Sequence, residues 1–276
     1  MRISVVTPSF RSSPWLRLCV ASVADQGLPV EHIIQDAGSD DGTLDWLLQD
    51  RRVQAFVEKD TGMYDAINHG LRRATGDVLA YLNCDEQYLP GALPAVVEFF
   101  QANPQVDVLF GDIVFVNGQG DYIGHRKVQT PLLLHTWTSH LSTLSCAIFF
   151  RRSVVFDGGE FFDPRLRDSG DGDWMVRLLR KRVRMAALGS FTSVFAYTGG
   201  NMSQGQNARR EADELHRTAP RWAQWIKPGI ILHHRLRRLL GGMYQQKPFK
   251  FALYTPGSPA QRVTREVQWP TVRVVS

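Results

Sequence analysis

Apolar runs alternate with helical segments along the first hundred residues. Residues 2–7 read RISVVT, an apolar run that suits a buried parallel strand. Residues 14–25 then carry apolar side chains at helical spacing. The alternation continues with strands predicted at residues 31–35, 53–58 and 77–82, and with helices at 44–50, 63–74 and 92–102. Four strands that alternate with helices predict βαβ units, a parallel sheet and an α/β fold.

The pattern loosens in the second half of the chain. Residues 106–116 predict one or two strands, followed by a turn at 117–121. Later segments predict strands at 146–150 and, as an edge strand, at 193–198, with a helix at 173–182. We expect one catalytic body over residues 1–204 and a basic, helical extension over 205–276. The extension is predicted to hold helices at 207–226 and 229–240, and then an irregular, Pro-containing end of about 25 residues.

The length and composition of the chain limit the classes of protein to which it can belong. A chain of 276 residues with 43% hydrophobic residues can bury a sizeable core. Cys19, Cys84 and Cys146 show neither paired metal spacing nor a disulfide framework, which favours a reducing cytoplasm. The first apolar run is too short for a signal peptide, and no stretch approaches the length of a membrane span.

The net charge of +5 conceals an asymmetry. Residues 205–276 hold 13 Lys and Arg against 4 Asp and Glu, so they carry +9 and residues 1–204 carry −4. After Pro228 the extension has a leucine stripe, which comprises Leu232, Leu236, Leu239 and Leu240. Trp222 and Trp225 precede it. This pattern is typical of an amphipathic helix at an anionic membrane surface, but a helix packed on the body explains it equally well.

Polar loops follow the predicted strands. Residues 77–82 run into the acidic pair Asp85-Glu86. Open α/β sheets bind ligands at the carboxyl edge of their strands, and hard oxygen ligands suit Mg²⁺ or Mn²⁺ held against a diphosphate. An acidic turn is the plainer interpretation. The first loop holds Pro8, Ser9 and Phe10, which could form a wall for a flat base or an ordinary strand-to-helix turn.

The second loop, residues 36–43, is rich in carboxylates and glycines. Asp36 directly follows a strand and could accept hydrogen bonds from a base or a ribose, while Asp40 and Asp41 suit helix capping. The loop has neither the GxGxxG of a dinucleotide fold nor the lysine of a P-loop. NAD enzymes and P-loop NTPases are therefore disfavoured.

Two further groups could carry chemistry. Asp65, Asn68 and His69 share one helix face, where a solvated histidine is the simpler interpretation of His69. Carboxylates also open the predicted helix near residue 173. One of Asp168, Asp171 and Asp173 could be a general base in a cleft, although acidic residues at a helix start also act as caps.

Taken in order, these motifs resemble those of the family 2 glycosyltransferases with the GT-A fold. The branch of this family that the chain resembles most builds bacterial surface polysaccharide, as the colanic acid and O-antigen enzymes do. The matching segments are residues 7–10 for TP-[ST]-[YF], 36–43 for DGGSTDGT, 62–70 for GIYDAMNKG, 74–86 for ATGDWIGFLNSDD, 149–152 for FFRR and 170–178 for the acidic motif. The resemblance covers residues 1 to about 204.

The chain departs from the family pattern at several positions. Glu86 stands where Asp is usual, and Asn83 holds the first position of the metal motif. Gly170 replaces an acidic residue or Ser, and His69 replaces Lys. Residues 145–146 read Ser-Cys instead of the frequent His-Gln, a change that concerns the acceptor and not the type of reaction.

The resemblance implies a Rossmann-like, mostly parallel central sheet with flanking helices. It also implies an inverting, metal-dependent hexosyl or N-acetylhexosaminyl transfer from a nucleotide diphosphate sugar, with a UDP-sugar favoured, to a glycan or lipid-linked acceptor. Asp171 would be the catalytic base, and Asp85 would hold Mn²⁺ or Mg²⁺. Nucleotide-sugar contacts are expected from Pro8, Ser9, Phe10, Asp36, Gly38, Ser39, Asp65, Asn68, Asn83 and Cys84. Acceptor contacts are expected from Trp174, Gly199 and Gly200.

Two other classes of protein compete with this interpretation. A sugar nucleotidyltransferase would favour a Gly-rich first loop with several basic residues, whereas this loop has only Arg11. A non-catalytic sugar-nucleotide-binding module is suggested by the basic extension, but the presence of both metal and base carboxylates argues against it. We expect no nucleic-acid partner, and a cytoplasmic location with a peripheral position on the inner face of the plasma membrane.

Overall fold

A computed structural model of the chain describes residues 1–199 and 205–272. In these ranges the strands are β1 (Ile3–Ser9), β2 (Val30–Asp36), β3 (Gln54–Val57), β4 (Val78–Tyr81), β5 (Glu86–Tyr88), β6 (Val108–Asn117), β7 (Tyr122–Arg126), β8 (Ile148–Arg151), β9 (Met185–Tyr197), β10 (Phe249–Thr255) and β11 (Ser258–Val267). The helices are α1 (Ser13–Ala24), α2 (Thr43–Leu47), α3 (Met63–Arg73), α4 (Ala92–Ala102), α5 (Leu133–Thr138), α6 (Arg152–Phe156), α7 (Gly170–Arg180), α8 (Gln206–Arg217), α9 (Arg221–Trp225) and α10 (Lys227–Leu240).

One large sheet forms the centre of the molecule. Its strand order is β3-β2-β1-β4-β8-β6-β9-β5, with β7 beside β6. The first four strands are parallel, β8 is antiparallel to both of its neighbours, and β9 is parallel to β6. The predicted α/β fold is confirmed. Because β1, β2 and β4 point the same way, the polar loops that follow them meet at one edge of the sheet.

The centre of the sheet is buried on both faces. Ile3, Val5 and Val6 of β1 are fully buried, as expected for a parallel strand covered by helices on each side. Helix α3 lies very close to this strand, since a methyl group at Gly70 would be 2.4 Å from a carbon of Val6. Only glycine permits this approach, which brings the second half of α3 against β1.

Trp174 belongs to the core, which corrects the prediction that it contacts an acceptor. Its indole is fully buried, stacks on Phe162 at 4.9 Å and meets Phe150 edge-on at 5.0 Å. Its ring N–H donates to the carbonyl of Glu160 at 2.6 Å. Trp174 lies on the inner face of α7, and that face packs against the sheet instead of a cleft.

Strand β9 is longer and more central than the edge strand predicted at residues 193–198. It lies between β6 and β5. Its first half contains Gly189, with a φ of +72°, and its pairing with β6 shifts register near Asp112. These irregularities interrupt the alternation of apolar residues, so the sequence revealed only the buried second half.

The C-terminal region is helical at first, as predicted, and then forms a β-hairpin. Pro220 lacks a backbone N–H and separates α8 from α9 within the single helix predicted at 207–226. The expectation of an irregular end is wrong, because β10 and β11 pair in antiparallel fashion. Phe251 and Leu253 of the hairpin pack on Val114 and Val116 of β6. The domain boundary near residue 204 stays a prediction.

No helix in the described ranges is long and apolar enough to cross a membrane. The three cysteines are buried and form no disulfide bond in the part of the chain that the structure describes.

Candidate active site

A cavity of about 980 Å³ lies at the carboxyl ends of β1, β2 and β4. Its size is within the range usual for small-molecule sites. Residues from seven segments line the cavity. They are 8–12 and 15; 37 and 38; 59–64 and 66; 81 and 83–85; 144 and 145; 167, 168 and 171; and 195 and 198. The convergence of loops that are distant in sequence follows from the parallel half of the sheet.

The cavity brings together most of the residues predicted to bind or react. The lining includes Pro8, Ser9, Phe10, Gly38, Asn83, Cys84, Asp85 and Asp171. The remaining predicted residues are not among the described residues that line it; these are Asp36, Ser39, Asp65, Asn68, Trp174 and Gly199. Gly200 lies outside the described residues.

The first loop presents an aromatic face. Phe10 is 52% exposed, and the Arg11 guanidinium lies 4.9 Å from the centre of its ring. Arg11 forms two hydrogen bonds with Asp40, at 2.6 and 2.7 Å. Its backbone has a φ of +51°, a conformation uncommon for a residue with a side chain, and its N–H donates to the hydroxyl of Ser39 at 2.8 Å. The first two loops are thereby tied together, and the Phe10 ring is available for stacking.

Asp36 fixes the second loop from within. Its carboxylate is fully buried and accepts hydrogen bonds from the Ser9 hydroxyl at 2.8 Å and the Gly38 N–H at 2.9 Å. The N–H and the hydroxyl of Ser39 donate to it at 2.7 and 2.8 Å. A carboxylate has about four acceptor positions. The expected direct contact of Asp36 with a base or ribose is therefore not supported, because internal donors occupy those positions.

Asn68 and Asp65 also serve the structure around the cavity. The Asn68 amide donates to the carbonyl of Phe162 at 2.8 Å and accepts its N–H at 3.0 Å. Asp65 accepts the N–H and the hydroxyl of Thr61, both at 3.0 Å. His69 lies on the helix surface, 3.5 Å from the carboxylate of Asp65. The predicted nucleotide contact of Asn68 is corrected to a role in holding the segment around Phe162, since its amide is buried there. The predicted nucleotide contact of Asp65 stays a prediction.

Asp85 is the carboxylate of the acidic pair that lines the cavity. Burial raises its pKa above the usual value for aspartate. Glu86 is fully buried in β5 and accepts hydrogen bonds from the Asn83 N–H at 2.8 Å and the Ser145 hydroxyl at 2.9 Å. Burial, with repulsion from Asp85, raises the pKa of Glu86 to about 8. The two acidic residues therefore differ: Asp85 lines the cavity, whereas Glu86 holds the neighbouring segments at Asn83 and Ser145.

The side-chain oxygen atoms of Asn83 and Asp85 fit a hard divalent cation. The carbonyl oxygen of the Asn83 side chain is buried and has no hydrogen-bond partner among the described residues. It lines the cavity with Asp85, whose charged form is disfavoured by burial. A cation would offset that penalty, and carboxylate and amide oxygens are ligands that Mg²⁺ and Mn²⁺ prefer.

Asp171 lies in the first turn of α7 and faces the same cavity. The Tyr64 hydroxyl is 3.4 Å from its carboxylate and accepts its backbone N–H at 3.1 Å, while the Gly172 N–H donates to the carboxylate at 2.8 Å. Burial raises the pKa of Asp171, and these hydrogen bonds reduce the rise only in part. Asp173 instead pairs with Arg177 at 2.9 Å, as a carboxylate at a helix start commonly does.

Tyr64 also explains why the family pattern changes at residue 170. A methyl group at Gly170 would lie 2.7 Å from a carbon of the Tyr64 ring. That ring is buried and stacks on Phe162 at 5.4 Å, so it has no room to retreat. Glycine at this position lets α7 begin directly beside the tyrosine that contacts Asp171.

The loop before Asp171 is held by a residue of the C-terminal helices. Glu211 of α8 is buried, and its carboxylate accepts the backbone N–H groups of Arg167, Asp168 and Ser169 at 3.0, 3.0 and 2.9 Å. Burial alone would raise the pKa of Glu211, but these hydrogen bonds outweigh it and lower the pKa. No local pattern around Glu211 predicts this contact.

The polar residues of the lining that were not predicted as site residues include Lys59, Asp60, Tyr64 and Arg167. Asp60 follows β3 as the other acidic loops follow their strands, so the same signal could have identified it. Lys59 and Arg167 bring positive charge to the cavity, which suits phosphate groups. Cys84 contacts the carbonyl of Pro8 at 3.1 Å, and burial raises its pKa to about 12, so it remains a neutral thiol.

Comparisons of sequence relate the chain to known proteins. The family model described as "Glycosyl transferase family 2" matches residues 4–158. An uncharacterized glycosyltransferase of Nostoc sp. is 30% identical over 169 residues, which cover 56% of this chain and 52% of that protein. A PGL/p-HBAD biosynthesis glycosyltransferase of Mycobacterium tuberculosis is 28% identical over 181 residues, covering 63% of this chain and 68% of that one. The chain thus spans about half the length of the Nostoc relative.

Comparisons of structure confirm the GT-A fold. The structure of S. aureus TarS (1-349) in complex with UDP-GlcNAc superposes with a TM-score of 0.64 at 20% identity, over 78% of this chain and 64% of that one. The mannosyltransferase PcManGT from Pyrobaculum calidifontis, in complex with GDP-Man and Mn²⁺, gives a TM-score of 0.56 at 18% identity, over 87% and 78% of the two chains. At these identities the likeness concerns the fold alone.

Proposed function

Because the chain belongs to glycosyl transferase family 2, we propose that it transfers a hexosyl or N-acetylhexosaminyl group from a nucleotide diphosphate sugar, preferably a UDP-sugar, to a hydroxyl group. The acceptor would be a glycan or a lipid-linked glycan in polysaccharide biosynthesis. The observation that carries this proposal is that Asp85 and Asp171 line one cavity of nucleotide-sugar size. That TarS binds UDP-GlcNAc in a similar fold supports the choice of donor.

The donor would occupy the cavity with its base against Phe10. Phe10 is an exposed aromatic face, held by Arg11 and the second loop. Lys59 and Arg167 line the same cavity and would neutralise the diphosphate. A base at one end and a charged diphosphate in the middle would direct the sugar towards Asp171.

Asp85 and the Asn83 side-chain oxygen would hold Mn²⁺ or Mg²⁺. Both residues line the cavity, and burial disfavours the charged form of Asp85 and raises its pKa. A bound divalent cation would supply Lewis-acid stabilisation of the charge that develops on the leaving diphosphate. Glu86 would keep the loop in place through Asn83 and Ser145.

Asp171 would act as the general base. An acceptor hydroxyl has a pKa far above 7, so a carboxylate must take its proton while the new bond to the anomeric carbon forms. The bond from that carbon to the diphosphate oxygen breaks in the same displacement, which inverts the configuration. The raised pKa of Asp171 brings it closer to the operating pH and makes it a stronger base.

The assignment of the base is tested by a matched pair of variants. Asp171→Asn should reduce kcat by about 10²–10⁴-fold, the usual contribution of a positioned base, with UDP affinity unchanged in calorimetry. Asp173→Asn should retain most activity, because Asp173 pairs with Arg177 instead of facing the cavity. A larger loss in Asp173→Asn than in Asp171→Asn would show that the wrong carboxylate was assigned.

We also propose that α10 docks on an anionic membrane surface, on the inner face of the plasma membrane. The leucine stripe points outward, with Leu240 87% exposed, and Trp225 nearby is 83% exposed. The opposite side of α10 packs on the body through Ile230 and His234. Packing and membrane contact are therefore compatible, since they use different faces of the helix.

A further inference from the structure

Three histidines from separate parts of the chain gather away from the proposed active site. His135 lies in α5, His140 follows this helix, and His234 lies in α10. Each ring has a nitrogen within 4.8 Å of a nitrogen on the other two. The rings of His135 and His234 are stacked at 3.7 Å, and His140 meets His135 edge-on at 4.6 Å. None of the three lines the cavity.

The buried members of this cluster lack the contacts that buried imidazoles need. His135 is 1% exposed, and neither of its ring nitrogens has a hydrogen-bond partner among the described residues. His234 is 7% exposed, and its Nδ1 also lacks a partner within the described ranges. Buried polar atoms are usually paired, and leaving them unpaired costs free energy. His140 is exposed and gives a ligand access from solvent.

We propose that His135, His140 and His234 together bind one Zn²⁺ ion, with water in the fourth position. Imidazole nitrogen is a preferred ligand of Zn²⁺, and three histidines with one open position are an established zinc coordination set. The proposed ion would join α10 to α5 and so stabilise the helix that carries the leucine stripe. This site differs chemically from that of Asp85, whose hard oxygens favour Mg²⁺ or Mn²⁺.

Positive charges surround the three rings. The charged or titratable groups that act on them are Arg126 of β7, His216 of α8, and Lys227, His233, Arg237 and Arg238 of α10.

One consequence follows for the affinity. The arginines among these groups repel a cation, so moderate salt should strengthen Zn²⁺ binding by screening them.

The test is a calorimetric titration of the metal-free full chain with Zn²⁺ alone. The wild type should bind one equivalent tightly. His140→Ala should weaken that step by more than about 100-fold, since even residues that only support a ligand cost 10–100-fold. His140 is exposed, so its removal leaves the core intact. His233→Ala is the matched control, because His233 is an exposed neighbour on the same helix and should change nothing.

Asp85→Ala separates this site from the proposed catalytic metal site. The tight Zn²⁺ step should persist in Asp85→Ala and disappear in His140→Ala, whatever the outcome for sugar transfer. Co²⁺ should give the matching absorption spectrum of a nitrogen-ligated ion, lost in His140→Ala alone. Equal Zn²⁺ affinity in the wild type and His140→Ala, or no tight step, would overturn the proposal. So would binding of inorganic phosphate, in place of Zn²⁺, that His140→Ala abolishes.

Discussion

Asp171 shows how single contacts set the chemistry at the residue scale. Burial raises its pKa, and the hydrogen bond from Tyr64 lowers it in part. The proposed base works in its deprotonated form, so kcat/KM should fall as the pH drops through this raised pKa. The midpoint of the acid limb in the pH profile of kcat/KM should therefore lie above 3.8, the ordinary pKa of aspartate.

Tyr64→Phe should move this acid limb to higher pH. The substitution removes the hydroxyl that favours the charged carboxylate and keeps the ring that stacks on Phe162. The pH dependence of kcat/KM for the two proteins measures the shift directly. An acid limb that moves to lower pH in Tyr64→Phe would mean that the base is a different group.

The sequence predicted residues of the site where the signal is local. Phe10 and Asp85 follow buried strands, so their place at the sheet edge could be read from the pattern around them. Asn68 and Trp174 could not be assigned in this way, because their partners lie elsewhere in the chain. Asn68 binds the backbone of Phe162, 94 residues away, and no local pattern indicates that pairing.

Helix α8 illustrates how one element supports another. Glu211 accepts three backbone N–H groups of the loop that leads to Asp171. Its pKa is lowered, so its stabilising contribution is present above the ordinary value of 4.5 and is lost as the pH falls through the lowered value. The C-terminal helices thereby contribute to the geometry of the proposed site.

Glu211→Gln should destabilise the protein at pH 7 by about 1.5–3 kcal/mol, the usual contribution of hydrogen bonds to a charged group. Urea unfolding measures this difference. It should shrink as the pH falls from 4.5, where the glutamate of the unfolded chain takes up a proton, through the lowered pKa of the folded protein, where the native glutamate becomes neutral as well. Glu214→Gln is the control, since Glu214 is exposed on the same helix. Equal losses in the two variants, or a difference that grows in acid, would contradict this role.

Most elements before residue 105 were predicted from the sequence, and those after it less completely. The early strands are continuous apolar runs with helices between them. Their hydrophobic pattern therefore matches their burial in the folded protein. Strand β11 reads SPAQRVTREV and is mostly polar and exposed, so its pairing with β10 leaves little trace in the pattern. The first half of β9 is irregular for the reasons given above.

At the scale of the whole molecule, charge and apolar surface coincide at the C-terminal region. Residues 205–276 carry +9, and the exposed leucine stripe lies within them. Each basic residue near an anionic membrane contributes about 1 kcal/mol, and salt screens this part of the binding. Removal of the whole region is a poor test of docking, because it also removes Glu211 and the hairpin that packs on β6.

The double variant Leu236→Ser/Leu240→Ser isolates the membrane contribution. It should reduce co-sedimentation with phosphatidylglycerol vesicles by at least about tenfold, because each leucine buried in lipid contributes on the order of 1.5–3 kcal/mol. Leu48→Ser, at an exposed leucine of the body, is the control and should bind as the wild type does. Equal sedimentation of all three proteins, or none by any of them, would leave α10 as a packing helix only.

A metal-dependent sugar transfer is proposed to take place in the cavity that holds Asp85 and Asp171. The most direct measurement is release of UDP from a panel of UDP-sugars by the wild type and Asp85→Ala, in Mn²⁺ and in EDTA. We expect the wild type to release UDP in Mn²⁺ and to lose this activity in EDTA. Asp85→Ala should release only background amounts of UDP while keeping the wild-type Tm. Full release in EDTA, full activity in Asp85→Ala, or formation of pyrophosphate from UTP and a sugar phosphate instead of UDP release would contradict this proposal.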